Sequence, residues 1–383
     1  MPRAAESGFP YVRLWRSLAR LEWPPWLQGL LWPAAQGYRA WMVLRALAYQ
    51  RGWLPSRRLP AKVISVGNLT VGGTGKTPLL LHLAAGLAAR GWRAAVLTRG
   101  YGRRTRTSFV IRGRSEESLR QPFPGPAAEY GDEPVLLARR LPELAIGIGA
   151  DRFGVAHRML EGPEPDRPQV FLLDDGFQHL RLARDLDLVV IDATDPFGGG
   201  TLLPAGRLRE PLSALARAHL LVLTRMPRAQ SGEARADSLL EALRRVHPRA
   251  PIFLARTRFQ GLYDATTHRP AERAEMARFP ALAFCGIGNP EAFAADLTGW
   301  GFPVAGRCVF PDHHRYRIDD FKTIIRQADR ARARWLVTTE KDAINFTVIP
   351  PSRPPCYYVR IDVEIEGEAD FWRALLGRLE DSR

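Results

Sequence analysis

The sequence predicts an α/β protein in two parts, the first carrying a phosphate-binding loop on a parallel sheet. Three observations predict it. Short apolar runs that read as buried strands alternate with segments of helical spacing, at Val63–Val66, Ala94–Leu97, Leu188–Asp192 and Leu220–Thr224. After a charged, helical stretch around residues 225–250 the same alternation restarts. A length of 383 residues suits two domains of ordinary size. The expected division is a helical segment at 1–60, a first α/β domain at 61–225 and a smaller one at 226–383.

Residues 1–60 hold six of the ten tryptophans (Trp15, Trp23, Trp26, Trp32, Trp41, Trp53) and nine arginines against Glu6 and Glu22. Large apolar residues recur at helical spacing from Leu14 to Met42, with Pro24-Pro25 and Pro33 expected as breaks. Arg39, Arg45, Gln28, Gln36 and Pro33 interrupt any apolar span of about 20 residues, so no transmembrane helix is expected. No uninterrupted apolar run follows a basic N-terminus, so no cleavable signal peptide is expected. Two readings stand side by side. The segment lies in a membrane interface with its tryptophans and arginines, or its helices pack on the core with arginine on the wet face.

Val63–Pro78, VISVGNLTVGGTGKTP, is the centre of the chain. A strand, a turn with Gly72, Gly73 and Gly75, then Lys76-Thr77 and a helix make a cradle for phosphate. Glycines let backbone N–H groups converge on phosphate oxygens, and the helix N-terminus adds partial positive charge. Lys76 can reach the β- and γ-phosphates, and the Thr77 hydroxyl can ligate Mg²⁺. The general pattern has glycine where this chain has Thr70, so a glycine-rich turn with an accidental Lys-Thr is the competing reading. Lysine is scarce, only four of 55 basic residues, yet one stands where a compact ammonium is wanted.

Arg99, Gly100, Tyr101 and Gly102 follow the strand at 94–97, at the sheet edge where ligands bind in open α/β folds. Residues 112–130 read as an irregular excursion. In GDEP, Asp132 and Glu133 open a helix; an N-cap explains one acid but not both. A helix is expected at Asp151–Leu160. The run VFLLDDGFQH drives a buried strand into Asp174-Asp175, the second half of a phosphate-loop site, with Asp192 at the end of LVVID as the competing acid. LLPAGRLREPL at 202–212 brings Arg207, Arg209 and Glu210 into a turn-rich stretch.

The second part has expected strands at 252–259, 281–284, 304–310, 335–338 and 357–361, and helices at 291–297, 319–331 and 369–379. It has no phosphate loop but carries FPDHHRY and TTEKDAINF, each after a strand. Adjacent His313 and His314 are poorly spaced for one metal ion.

Cys285, Cys308 and Cys356 form no CxxC pair, which argues against disulfides and zinc and suits a reducing cytosol. The net charge of +15 suggests an anionic partner. No nucleic-acid motif accompanies it, so no nucleic-acid partner is expected, and no protein partner is implied.

TVGGTGKTP, TRGYGR, GDEP, DDGFQH, LLPAGRLREP, FCGIGNPEAF, FPDHHRY and TTEKDA, in this order from about residue 10 to 375, resemble the tetraacyldisaccharide 4'-kinase family of Gram-negative bacteria. Thr70 fits that family's own loop. The resemblance implies two α/β/α domains with the site between them and an N-terminal amphipathic helix touching the membrane. It implies ATP-dependent phosphorylation of the 4'-hydroxyl of a lipid A disaccharide precursor, with Mg²⁺, at the cytoplasmic face of the inner membrane. Carried over by motif, Thr70, Val71, Gly72, Gly73, Thr74, Gly75, Lys76 and Thr77 hold the nucleotide. Asp132 is the base, paired with one histidine of the second domain, His313 in preference to His314. Thr77, Glu133 and Asp175 lie at the metal. Arg99, Tyr101, Arg152, Asp174, His179 and Arg209 line the disaccharide and its phosphate.

A nucleotide-driven switch is the rival class. Such proteins often carry a further lysine before the glycine pair, where this chain has Val71.

Overall fold

The computed structural model describes residues 24–104, 107–112, 127–226 and 233–381. The expected helical pattern over residues 1–23 lies outside these. The first described element is α1 (Pro25–Gln50), which begins with proline at its first position, where no N–H is needed. It continues through Pro33, which was expected to break it. Proline removes one bond, to the carbonyl of Gly29, and both residues are exposed, so water can satisfy that oxygen.

The first wing follows as β1 (Lys62–Gly67), α2 (Lys76–Ala89), β2 (Ala94–Thr98), β3 (Phe109–Arg112), α3 (Ala127–Tyr130), α4 (Asp132–Arg140), β4 (Ala145–Ile148), α5 (Arg152–Leu160), β5 (Val170–Asp174), β6 (Leu186–Asp192), β7 (Leu220–Thr224) and α6 (Glu233–Val246). The stretch expected to be irregular thus ends in a short helix, anchored by buried Ala127 and Tyr130. The second wing has β8 (Ile252–Asp264), β9 (Pro270–Ala271), α7 (Arg273–Met276), β10 (Ala281–Cys285), α8 (Pro290–Gly299), β11 (Val304–Val309), α9 (Ile318–Arg330), β12 (Trp335–Thr339), α10 (Glu340–Ile344), β13 (Cys356–Ile365) and α11 (Glu368–Asp381).

Both wings share one 13-stranded sheet, in the order β11-β10-β12-β13-β8-β7-β6-β1-β5-β2-β4-β3, with β9 beside β8. The strands of the first wing from β2 to β7 by way of β5, β1 and β6 are parallel, and they are mostly apolar because helices cover both faces. On one face Leu79, Leu80, Leu83 and Leu87 of α2 join Val135 and Leu137 of α4 and Phe371 and Leu375 of α11. The other face is closed by Val155 and Met159 of α5, and further along by Leu239 and Leu243 of α6. In the second wing Phe293 and Leu297 of α8 cover one face, Phe321 and Ile324 of α9 the other.

Packing crosses the boundary expected at residues 225/226. The start of β8 extends the first wing's sheet by pairing with β7, and its remainder pairs antiparallel with β13. The final helix, α11, returns to the first wing's core.

Candidate active site

The loop leaves β1 between β5 and β6, with Val66 in register with Asp174. Its φ angles are 117° at Gly72 and 86° at Gly75, a region closed to most residues with a Cβ. The loop's carbonyls are held from outside. Arg207 donates to the Val71 oxygen at 3.0 Å, Arg225 to Gly73 at 2.6 Å and the Thr224 hydroxyl to Thr74 at 2.8 Å. The backbone N–H groups of Gly73, Thr74 and Gly75 donate to no protein oxygen among the described residues. A loop so held offers donors on the side facing α2's N-terminus, the arrangement that receives an anion. The second wing touches it directly. A side chain on Gly288 would meet the Gly73 nitrogen at 2.1 Å, so only glycine fits there. Lys76 reaches across to Asn68 Oδ1 at 3.0 Å and Asp175 Oδ1 at 3.4 Å.

Two adjacent acids, Asp174 and Asp175, lie beside the lysine. Asp174 is buried and accepts from the Thr98 hydroxyl at 2.9 Å. Burial first, then the charges of Glu133 and Asp175, push its pKa up to about 7. Asp175 behaves oppositely. Burial opposes its charge, but Lys76 and Arg209 outweigh it and bring the pKa down to about 2. Arg209 meets Asp175 at 2.7 Å. Asp192, the competing strand-end acid, faces Arg225 and accepts from Asn289 at 3.0 Å. It therefore ties the second wing to the loop's rear.

Asp132 lies at the start of α4, 4% exposed, with its Oδ2 aimed at the second wing. His313 Nδ1 stands 2.7 Å from that oxygen and Asn345 Nδ2 donates to it at 3.1 Å, with Lys341 Nζ at 3.7 Å. Oδ1 accepts from the Glu133 N–H at 2.9 Å. Burial would raise the Asp132 pKa; Lys341, His313 and Asn345 outweigh it and hold the carboxyl well below its usual range. An ionised carboxylate can only accept, so in the neutral ring the His313 proton is on Nδ1 and Nε2 is left as an acceptor. Burial opposes protonation of His313, but the bond to Asp132 raises its pKa. His313 has φ of 60°, left-handed for a residue with a side chain; such strain costs about 1–3 kcal/mol and clusters at working sites. His314 is turned away, its Nε2 3.1 Å from Asp320 and its ring stacked on Phe310 at 4.7 Å.

A cavity of about 1040 Å³ joins these groups. Its wall includes Val71 to Thr77, Arg99, Tyr101, Glu133, Arg152, Asp174, Asp175, His179, Arg209 and His313. Thr70, bridged to Leu208, and Asp132 sit buried behind the wall. Tyr101 is 65% exposed and its ring lies 5.1 Å from that of His313. Arg152 is buried, and burial lowers its pKa against the pull of Asp174. Burial, then Arg152 and Arg184, brings His179 down to about 4, so its ring is neutral near pH 7.

Sequence reasoning gave no role to Lys341, Asn345, Asp312, Asn68 or Arg225. For Lys341 a signal existed: it is one of only four lysines and lies within TTEKDA.

The sequence profile of the family described as LpxK, tetraacyldisaccharide-1-P 4'-kinase, matches residues 27–380. This chain belongs to that family. The tetraacyldisaccharide 4'-kinase of Anaeromyxobacter sp. (strain K) is 41% identical over 345 residues, covering 88% of this chain and 87% of its own. That of Syntrophus aciditrophicus (strain SB) is 38% identical over 352 residues, covering 90% and 91%. Among solved structures, the "apo" form of LpxK from Aquifex aeolicus in complex with ATP superposes with a TM-score of 0.67 at 28% identity, covering 92% of this chain and 99% of that one. In this tetraacyldisaccharide 4'-kinase family member, all the motifs from TVGGTGKTP to TTEKDA contribute residues to the one cavity.

Proposed function

We propose that this chain transfers the γ-phosphoryl group of ATP to the 4'-hydroxyl of tetraacyldisaccharide 1-phosphate, in lipid A biosynthesis. The observation that carries this reading is one cavity with the phosphate loop on one wall and His313, backed by Asp132, on another. Thr70 to Thr77 bind the nucleotide phosphates, with Lys76 neutralising charge on the β- and γ-phosphates. His313 and Asp132 act together on the sugar hydroxyl: the ring faces the cavity, the carboxylate holds its tautomer, and the pair accepts the proton. The bond from the 4'-oxygen to the γ-phosphorus forms as the bond to the β,γ-bridging oxygen breaks, and ADP leaves. Arg99, Tyr101, Arg152, His179 and Arg209 line the acceptor side.

The donor set fits Mg²⁺. Among the described residues no group of three or more His, Cys, Asp or Glu side chains forms a ready cage. Mg²⁺ uses one or two carboxylates together with substrate phosphates and water. The crowding of Glu133 and Asp175 that raises Asp174 is what a divalent cation would relieve. Thr77, Glu133 and Asp175 would hold it, with Asp174 adjoining. When bound, Mg²⁺ supplies positive charge to the transferring phosphate.

No described helix is long and apolar enough to cross a membrane. We place the enzyme at the cytoplasmic face of the inner membrane through α1. Ala35 and Met42 are buried beneath the helix, Tyr38 donates to the Arg209 carbonyl at 2.8 Å and Arg45 to that of Gln178 at 2.9 Å. Outward, Trp26, Leu30, Trp32, Trp41 and Leu44 are all more than half exposed. Apolar residues at that density on a free face suit a lipid interface. Trp41, Tyr38 and Met42 also line the cavity, so a lipid acceptor would enter along this helix.

The test is purified protein with ATP, Mg²⁺ and the lipid A disaccharide precursor, followed by mass spectrometry. A product heavier by one phosphate is expected. ATP turnover that needs no acceptor would instead favour a nucleotide switch.

A further inference from the structure

Glu340, Lys341 and Asp342 open α10 and send successive side chains to three different places. Glu340 binds Arg140 of the first wing at 2.9 Å and Arg360 of β13 at 3.0 Å. Asp342 accepts from the Gly286 N–H at 2.8 Å, the Tyr316 hydroxyl at 2.9 Å and the Thr339 hydroxyl at 2.6 Å. These contacts pin the start of α10 on both sides. Lys341, between them, points into the junction of the wings. Its Nζ lies 3.7 Å from Asp132 Oδ2, 3.5 Å from Glu133 Oε1 and 3.6 Å from Asp312 Oδ1.

The three acids come from two short segments, Asp132-Glu133 of the first wing and Asp312-His313 of the second. Those segments supply the two members of the proton-accepting pair. Three carboxylates converging at a partly buried junction repel one another strongly unless a cation stands among them. Lys341 is the group that contacts all three. Asn345, just past the end of α10, donates to the same Asp132 oxygen that faces the ammonium.

We propose that Lys341 is a positioning residue for phosphoryl transfer: its ammonium clamps the Asp132 and His313 segments together and so keeps the pair aligned. The inference rests on the reading of Asp132 and His313 as the proton-accepting pair. Lys341 acts through the carboxylates; the nucleotide phosphates are held elsewhere, by the loop and Lys76.

The experiment is steady-state kinetics and melting of Lys341→Met, His313→Ala and the double variant, with Asp132→Asn alongside. Lys341→Met should lower kcat by about 10²-fold, as loss of an aligned acid–base group does, with the KM for ATP unchanged. Adding Lys341→Met to His313→Ala should cost at most a few-fold more, because both disable one unit. Should Lys341→Met fail to fold, Lys341→Met with Asp312→Asn removes the bridge without changing the local net charge, and should show the same kcat loss. Lys341→Arg, which keeps a cation among the acids, should lose less of the rate than Lys341→Met. Multiplicative losses in the double variant, or a loss carried by the KM for ATP, would overturn the assignment. Wild-type turnover in Asp132→Asn would overturn the pair itself, and this inference with it.

Discussion

Asp132 Oδ2 and His313 Nδ1 lie 2.7 Å apart although 181 residues separate them in the chain. Among the described residues every side-chain partner of that oxygen, His313, Asn345 and Lys341, comes from the second wing. The first wing thus holds an acid whose ionised state and direction are set by the other half of the molecule.

Asp132→Ala and His313→Ala should each lower kcat by about 10²–10³-fold, within the usual range for acid–base groups, with little change in the KM for ATP. Together they should lose little more than the worse of the two. Full additivity in a double-mutant cycle would separate their roles. His314→Ala, which loses its stacking on Phe310 and its contact with Asp320, should lower stability by roughly 1–3 kcal/mol while kcat stays within a few-fold. Melting and kinetics on the same preparations decide this.

Lys76→Ala removes the ammonium from the loop and from Asp175. Turnover should fall by about 10²–10³-fold, the loss expected for one preorganised donor to a developing charge. Arg209 still neutralises Asp175, so the fold should persist. Near-normal turnover in a folded variant would refute the loop's role.

His179 carries a pH dependence of known sign. Its pKa is near 6.5 when unfolded and is brought down to about 4 in the fold. Between these values the unfolded chain binds the proton and the folded chain does not. The stability of the neutral ring is therefore fully present above pH 6.5 and is lost as pH falls towards 4. Asp174, raised to about 7, slopes the other way across the whole of this window, so the comparison must be internal. The Tm of wild type minus that of His179→Gln should fall between pH 6.5 and pH 4.5. A constant difference would mean that the ring is not held neutral.

Trp26→Ser with Leu30→Ser removes two large apolar groups, 72% and 70% exposed, from the free face of α1. Neither is buried in the fold, so Tm should move little. Flotation with anionic vesicles should weaken and the KM for the lipid acceptor should rise, while that for ATP stays put. Unchanged flotation would leave α1 as packing alone.

Much of the fold was legible in the sequence because its signals are local. A run such as Val63–Val66 followed by Gly72, Gly73, Gly75 and Lys76 specifies strand, turn and helix through residues in direct succession. The same holds for Asp174-Asp175 at the end of an apolar strand. Pro33 does not break α1 because proline's cost depends on whether the freed carbonyl can reach water, which only the exposure of Gly29 and Pro33 decides.

The sequence by itself determined the family motifs, the phosphate loop and the strand-end acids. Only the tertiary structure decided that one sheet runs through both wings, that α11 returns to the first wing, and that His313 faces Asp132 while His314 stacks on Phe310. It also decided that Lys341 meets acids from both wings. Adjacent histidines look alike in a sequence. What distinguishes them is the direction each side chain takes from a backbone with φ of 60° at His313, and that direction is set by contacts with residues far away in the chain.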